Sequence, residues 1–471
     1  MNVLPLTIVV FVSRRIIIGL LLMGCGLCPT YATGPVTHTL EYAPAPADNP
    51  LKGLVPYAHG RHDGFPHSLE FNYLPLSEIV TARDRYDWTA LDRLLEKCAA
   101  RGHQVVFRIF VEFPGRTDGI PRFLIEDGLR IHKYLDQDDH RSMENITPDY
   151  SDGRLRGVLR DFIAALGQRY DGDPRLGFIT AGLLGKWGEW HTHPKTELFA
   201  SKEVQLEVMD AYEAAFHITP ILLRYPAAAT SSANAPNANR RFGYHDDSFA
   251  WATLDTGRKS DKWFFMTALR AAGPQALDKW KTRPIGGEIR PEAWGHVFDR
   301  QPGVTAVQDF RRCVEETHAT WLMDSGMFTA NVSPERWQRA EEEVRRMGYE
   351  FHVRAVTIGP TVEGQLRVAA ELENRGVAPF YYDWLNEFSL IAGGKCVRIW
   401  KGTGKLSGLL PGEPARVWGE ALDVHGIEAG VYQLAVRVPN TMPTGRPVRF
   451  ANKTQDADAP GWLTLGEFRA P

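Results

Sequence analysis

The stretch ITAGLLGKWGEWHTHP, residues 179–194, carries the deciding pattern of this chain. Its apolar opening reads as a strand covered on both faces, because interior parallel strands are continuous runs of Ile, Leu, Val and Ala. The run then stops in glycines, tryptophans and one carboxylate, Glu189, flanked by Trp187 and Trp190. A carboxyl at the mouth of a buried strand is partly desolvated, which favours its neutral form. Flat indole faces beside a proton-donating acid suit a sugar-cleaving site. The plainer alternative is a strand-end Glu paired with an Arg. A second carboxylate in an equivalent place decides between the two.

Outward from this stretch, extended apolar runs alternate with helical patterns over residues 50–348. Candidate strands are Gly53–Tyr57, Leu69–Pro75, Gln104–Phe113, Leu176–Leu184, Thr219–Tyr225, Phe242–Asp246, Pro284–Ile289 and Thr320–Ser325. Asp87 is placed to cap a helix whose Leu91, Leu94, Leu95 and Cys98 recur at helical spacing, with Gly102 as its stop. Leu155, Val158, Leu159, Phe162, Ile163 and Leu166 repeat the pattern, and Ser333-Pro334-Glu335 opens a further helix. Eight strands separated by helices over about 300 residues predict a (β/α)₈ barrel, although the crossovers after the first and fifth strands are weakly marked. A doubly wound open sheet is the rival, but no Gly-rich nucleotide turn follows the first strand. GTGKLSG at 402–408 has the wrong glycine spacing for a phosphate loop.

After residue 348 the texture changes. Leu366, Val368, Ala370 and Leu372 alternate with polar partners, as do Leu434, Val436 and Val438, and turn clusters separate the runs. Period-two strands with frequent turns predict an antiparallel β-sandwich. The reading therefore divides the chain into an export signal over 1–32, an α/β barrel of catalytic type over 33–348 and a C-terminal β-sandwich over 349–471.

Composition narrows the function. With 471 residues, 44% apolar and 24% charged, the chain has the make-up of a globular protein of two or three domains. A net charge of −3 gives no reason to expect nucleic acid as a partner. Thirteen Trp, 15 Tyr and 23 Phe suit carbohydrate, a ligand that stacks on flat rings. Arg14 and Arg15 precede IIIGLLLMGCGLC, a basic start and an apolar stretch too short for a comfortable membrane span, which reads as an export signal. Leu22-Met23-Gly24-Cys25 also resembles a lipoprotein box, which would make Cys25 a lipid anchor. The expected location is periplasmic, extracellular or membrane-anchored. Beyond the signal, Cys98, Cys313 and Cys396 are too widely spaced for a disulfide framework or a zinc site.

In a barrel, catalytic groups gather at the C-terminal ends of the strands. Those ends offer Tyr57 with His59, Arg61, His62 and Asp63, then Asn72 and Tyr73, Arg108 and Glu112, Glu189, Arg224-Tyr225, Tyr244-His245-Asp246-Asp247, Glu288 and Asp324. RPIGGEIRP, residues 283–291, sets Glu288 at the mouth of the seventh strand, after two glycines that permit close approach of another group. Carboxylates on strands four and seven face each other across a barrel mouth, and a retaining glycosidase needs such a pair about 5–5.5 Å apart. Glu189, between indoles, is the expected proton donor. Glu288, with Arg290 nearby, is the expected ionised nucleophile, with a rim salt bridge as its plainer reading.

Trp187, Trp190, Tyr244, His245, Asp246 and Arg224 are expected to shape the sugar pocket. Arg108, Asn72 and Asp324 are further candidate substrate contacts. His245-Asp246 reads either as a hydroxyl clamp or as an Asp-stabilised turn, and Arg108 and Glu112 as either contacts or a pair inside the barrel. His191 and His193 lack a third ligand at metal spacing and an HExxH helix, so no metal and no cofactor are expected. No serine nucleophile elbow is present in the sequence.

NPLKGLVPY (49–57), LEFNYLPLSEI (69–79), GLLGKWGEWHTHP (182–194), GYHDDSF (243–249), PIGGEI (284–289), and VRFANKT with GWLTLGEF within 448–468 resemble the exported bacterial barrel proteins grouped as domain of unknown function 4832. That group is similar to the large clan of retaining glycosidases with the acid/base on strand four and the nucleophile on strand seven. The resemblance implies those roles for Glu189 and Glu288. One departure stands out, since the clan usually has Asn before the strand-four Glu and this chain has Gly188. The function expected is hydrolysis of an oligosaccharide or polysaccharide by double displacement. The alternative is a non-catalytic carbohydrate-binding barrel at the cell surface.

Overall fold

Eight short strands rich in Val, Ile, Leu and Phe form one parallel sheet: β1 Gly53–Val55, β2 Leu69–Pro75, β3 Gln104–Phe110, β4 Leu176–Thr180, β5 Ile221–Leu223, β6 Gly243–Phe249, β7 Ile285–Ile289 and β8 Ala319–Met323. They are seen in a computed structural model that describes residues 34–61, 64–136, 143–303 and 306–470. The expected export signal, Cys25, His62 and Asp63 lie outside the described residues. The strands pair in chain order from β2 to β8, and β8 then pairs with β1. A parallel bridge between Tyr57 and Phe71, with hydrogen bonds from Ala58 N to Phe71 O and from Phe71 N to Pro56 O (both 2.8 Å), closes the ring. The fold is the predicted (β/α)₈ barrel.

Most crossovers carry helices. Asp152 caps Gly153–Tyr170 by accepting from Arg154 N (2.8 Å), Ser201 caps Lys202–Ala215, Asp309 caps Phe310–Thr317, and Ser333 with Pro334 starts Pro334–Arg346. Asp87 accepts from Thr89 N (2.9 Å) at the head of Thr89–Ala100, and Gly102 at φ +80° ends that turn. Among the described residues, the β1–β2 and β5–β6 connections contain no helix, which is why the sequence marks them weakly. No helix among the described residues is long and apolar enough to cross a membrane.

Strand alternation sorts side chains between two layers. Phe71, Val106, Phe178, Leu222 and Trp321 point into the barrel. Phe107, Ile109, Ile179 and Tyr244 point out against the helices. Gly286 leaves room for the Trp321 indole, since a Cβ there would sit 2.3 Å from a ring carbon.

Antiparallel strands follow: β9 Phe351–Val362, β10 Gln365–Asn374, β11 Leu385–Ala392, β12 Lys395–Lys405, β13 Arg416–Asp423, β14 Gly430–Arg437 and β15 Leu463–Ala470. One sheet has the order β9-β10-β13, the other β12-β11-β14-β15. The alternating Leu366, Val368, Ala370 and Leu372 face the space between them. The short strand Val36–Thr39 pairs antiparallel with β9, Val36 opposite Ile358. It is an edge strand of this sheet. VTHT has no apolar pattern of its own, and the otherwise unpaired edge of β9 decides where it goes.

The sandwich closes the N-terminal end of the barrel. Phe380, Tyr382 and Trp384 pack in one apolar cluster with Phe71, Phe178 and Trp321. The Tyr382 hydroxyl donates to Gly177 O (2.5 Å), Tyr349 to Pro50 O (2.7 Å) and Tyr381 to Trp280 O (2.7 Å). The buried charged cluster lies at the C-terminal end.

Candidate functional site

Glu189 sits in a tightly folded loop after β4. Lys186 N bonds to His191 O (2.8 Å), Glu189 N to Lys186 O (2.8 Å) and Trp190 N to Leu184 O (2.9 Å). Leu183, Trp187 and Trp190 all have positive φ, a costly state for residues with a Cβ and one that collects at functional sites. Gly188 has φ +71°, and a Cβ there would lie 3.2 Å from Ile109 O and 3.3 Å from Arg108 Cδ. A side chain here would be both strained and tightly packed, a local setting that favours Gly over Asn. Tyr150 braces the loop, accepting from Gly185 N (2.8 Å) and donating to Glu112 (3.4 Å).

Arg108 on β3 is the hub of the site. It is 1% exposed, and its guanidinium donates to Glu189 Oε1 (3.0 Å), Asp247 Oδ1 (3.1 Å), Thr180 Oγ1 (3.1 Å) and the Tyr73 hydroxyl (3.3 Å). Asp247 also pairs with Arg224 Nε and lies 2.5 Å from His245 Nδ1. His191 Nε2 stands 3.5 Å from Glu189 Oε2. Glu288, on the inward face of β7, is 7% exposed and makes no hydrogen bond or ion pair among the described residues. Expected residues that meet here are therefore Glu189, Glu288, Arg108, Arg224 and His245. Trp187 stands half-buried at the rim, edge to face with Phe113 at 6.3 Å.

Other expected contacts lie elsewhere, mostly because alternation turns them outward. Tyr244 and Trp190 belong to the core between barrel and helices, with the Trp190 indole donating to Ala181 O (2.7 Å) and the Tyr244 hydroxyl to Asn237 (2.9 Å). Asp246 accepts from Thr253 Oγ1 (2.6 Å) and Ser248 N (3.0 Å), so His245 is matched by Asp247, two residues on. Asn72 bonds to the adjacent Tyr73 O (2.9 Å), while Tyr73 faces inward. Asp324 holds a loop by accepting from Gly295 N (2.9 Å) and Met327 N (2.8 Å). Arg108 and Glu112 do not pair, because Glu112 is taken by Thr147 and Tyr150. Asp247 and Tyr73 stand among the strand-end groups of the sequence but outside its expected pocket, and the structure brings both onto Arg108. Period-two counting from His245 and Phe71 finds both.

Electrostatics reverse the expected charge states. Burial opposes ionisation of Glu189, but His191, Arg108 and Arg224 outweigh it and hold the carboxyl down to about 2. Burial and the Glu189 charge push Glu288 up to about 8. Burial and the same anion raise Asp247, and burial lowers Arg224 to about 10. The pairing with an Arg that the sequence leaves open for Glu189 is present, and the partner is Arg108 of β3. The surrounding charges thus favour ionisation of Glu189 and oppose that of Glu288.

Ligand atoms of His67, Glu70 and His103 lie within 4.8 Å of one another on the outer side of β2. Arg101 forks onto the Glu70 carboxylate there, supplying the positive charge a metal would bring.

No protein-family model matches the chain, and no curated protein matches it. Among solved structures it is similar to endo-glycoceramidase II from Rhodococcus sp. in complex with ganglioside GM3, at 11% identity and TM-score 0.39 over 79% of this chain and 96% of that one. It is also similar to an endo-β-1,4-mannanase from Thermotoga petrophila (9%, 0.35, covering 86% and 96%) and an endoglucanase from Pseudomonas stutzeri (13%, 0.32, covering 65% and 97%).

Proposed function

We propose that this chain hydrolyses glycosidic bonds in an oligosaccharide or polysaccharide, by a retaining double displacement between Glu189 and Glu288. The observation that supports the reading is a pair of buried carboxyl groups, on the β4 loop and on β7, of which Glu189 accepts from Arg108 (3.0 Å) while Glu288 has no hydrogen-bond partner among the described residues, so that their surroundings push their pKa values in opposite directions. Environments that drive two titratable groups apart mark an acid and its anionic partner. The roles are the reverse of those implied by the resemblance. Glu288 gives its proton to the departing glycosidic oxygen while Glu189 Oε2 attacks the anomeric carbon, forming a glycosyl ester. Esterification removes the Glu189 charge that raised Glu288, so Glu288 becomes the stronger acid and its carboxylate can take a proton from water. That water oxygen displaces Glu189, releasing the sugar and restoring both groups. With no side chain at Gly188, His245 and Asp247 are the polar groups left to bind a sugar hydroxyl beside Glu189.

A second reading, sugar binding without turnover, is favoured by the Arg108 bond that occupies Glu189 Oε1. A panel of aryl glycosides and polysaccharides separates the two. Turnover abolished in both Glu189→Gln and Glu288→Gln supports hydrolysis, and tight binding without turnover by the native protein supports the second reading. Export belongs to the same proposal and rests on residues 14–32 alone. Cell fractionation, with lipid labelling lost in Cys25→Ser, tests it.

A further inference from the structure

The C-terminal mouth borders a shallow, open cleft. Arg224, His245 and Asp247 of the carboxylate network line it together with Tyr225, Ser248 and Trp263. Trp263 is 46% exposed, and among the described residues it is the one exposed tryptophan. Phe264 meets it edge to face at 4.9 Å. The segment is fixed to the end of β6, because Phe265 N donates to Ala252 O (2.9 Å) and Met266 N to Thr253 O (2.9 Å). Thr253 also holds Asp246. An exposed indole anchored this firmly costs apolar surface in water and brings no core contact in return.

In the same cleft, Arg224 stacks on the Tyr225 ring at 4.2 Å, with Nε on Asp247 and Nη1 on the Tyr225 hydroxyl. Its Nη2 carries no partner among the described residues and can donate to a hydroxyl. A flat apolar face and a fixed hydrogen-bond donor lining one cleft match a pyranose ring, which has an apolar CH face and a hydroxyl rim.

We propose that this cleft is a second sugar subsite, in which a neighbouring pyranose of the substrate stacks on Trp263 and hydrogen-bonds Arg224. The substrate class is then an oligosaccharide of at least two units. This rests on the hydrolase reading for the first subsite only. The test uses the full chain with Trp263→Ala and Trp263→Phe, assayed on an aryl monoglycoside and the tetrasaccharide of the same sugar. In Trp263→Ala, kcat/KM for the tetrasaccharide is expected to fall at least tenfold more than that for the monoglycoside, with most of the loss restored in Trp263→Phe. An equal change on both substrates overturns the subsite. If no glycoside is cleaved, tryptophan fluorescence is titrated with cellotetraose, mannotetraose and chitotetraose. Quenching that is present in the native chain and lost in Trp263→Ala sustains the subsite while the hydrolase reading fails. No quenching by any of the three overturns it.

Discussion

The two ends of the barrel are built from opposite materials. At the N-terminal end Phe178 and Trp321 stack at 5.8 Å and merge with Phe380 and Tyr382 of the sandwich into one apolar cluster. At the other end the same inward rows carry Arg108, Thr180, His245, Asp247 and Glu288. Both ends are buried, yet the energetics differ. Apolar burial stabilises at any pH, whereas buried charges must be matched partner by partner. One end holds the fold and the other keeps charges ready.

The largest effect is expected from Glu288→Gln, which removes the acid. Its turnover should fall about 10²- to 10⁴-fold, the range for general acid catalysis, with much less loss on substrates whose leaving group needs no proton. In the native chain, kcat/KM should hold between about 2 and about 8 and decline above, because Glu189 must be ionised and Glu288 protonated. Stability follows the same group. Between its ordinary 4.5 and about 8, folded Glu288 keeps a proton that the unfolded chain has lost, so stability falls as pH rises through that window. Urea melts at pH 5 and pH 8.5 should differ less in Glu288→Gln than in the native chain.

Next comes Arg108→Met. It leaves Glu189 and Asp247 buried without their shared cation, and the expected loss is about 3–5 kcal/mol in denaturant titration. Raised carboxyl pKa values in the variant would accompany it. Phe178→Ala, at the other end, should cost a similar or smaller amount, about 3–5 kcal/mol, by leaving a cavity. Its pH–rate profile should keep its position, and a shifted profile would break the contrast between the ends. The smallest change, Asp152→Ala, removes a helix cap and should cost about 1 kcal/mol in the same titration, with kinetics untouched.

Much of the barrel was legible because buried parallel strands announce themselves as apolar runs. Leu69–Pro75 was read to the residue, and the other strands with ends displaced by a few positions. The site was half legible. Glu189 and Glu288 stand at strand ends, and that much is local. Their charge states depend on Arg108, about 80 residues before Glu189, and desolvation alone pointed the wrong way. The expected hydroxyl clamp pairs His245 with Asp246 because the expected strand ends there, whereas β6 continues to Phe249 and alternation carries Asp247 inward. Val36–Thr39 offered no signal, since its place is set by an edge formed 300 residues later.

The central claim is that Glu189, held ionised by Arg108, is the nucleophile. The most direct measurement is trapping with a 2-deoxy-2-fluoro glycoside of the cleaved sugar, followed by peptide mass spectrometry. The predicted result is a sugar adduct on Glu189 and none on Glu288. An adduct on Glu288 would restore the roles implied by the resemblance and contradict the charge assignment.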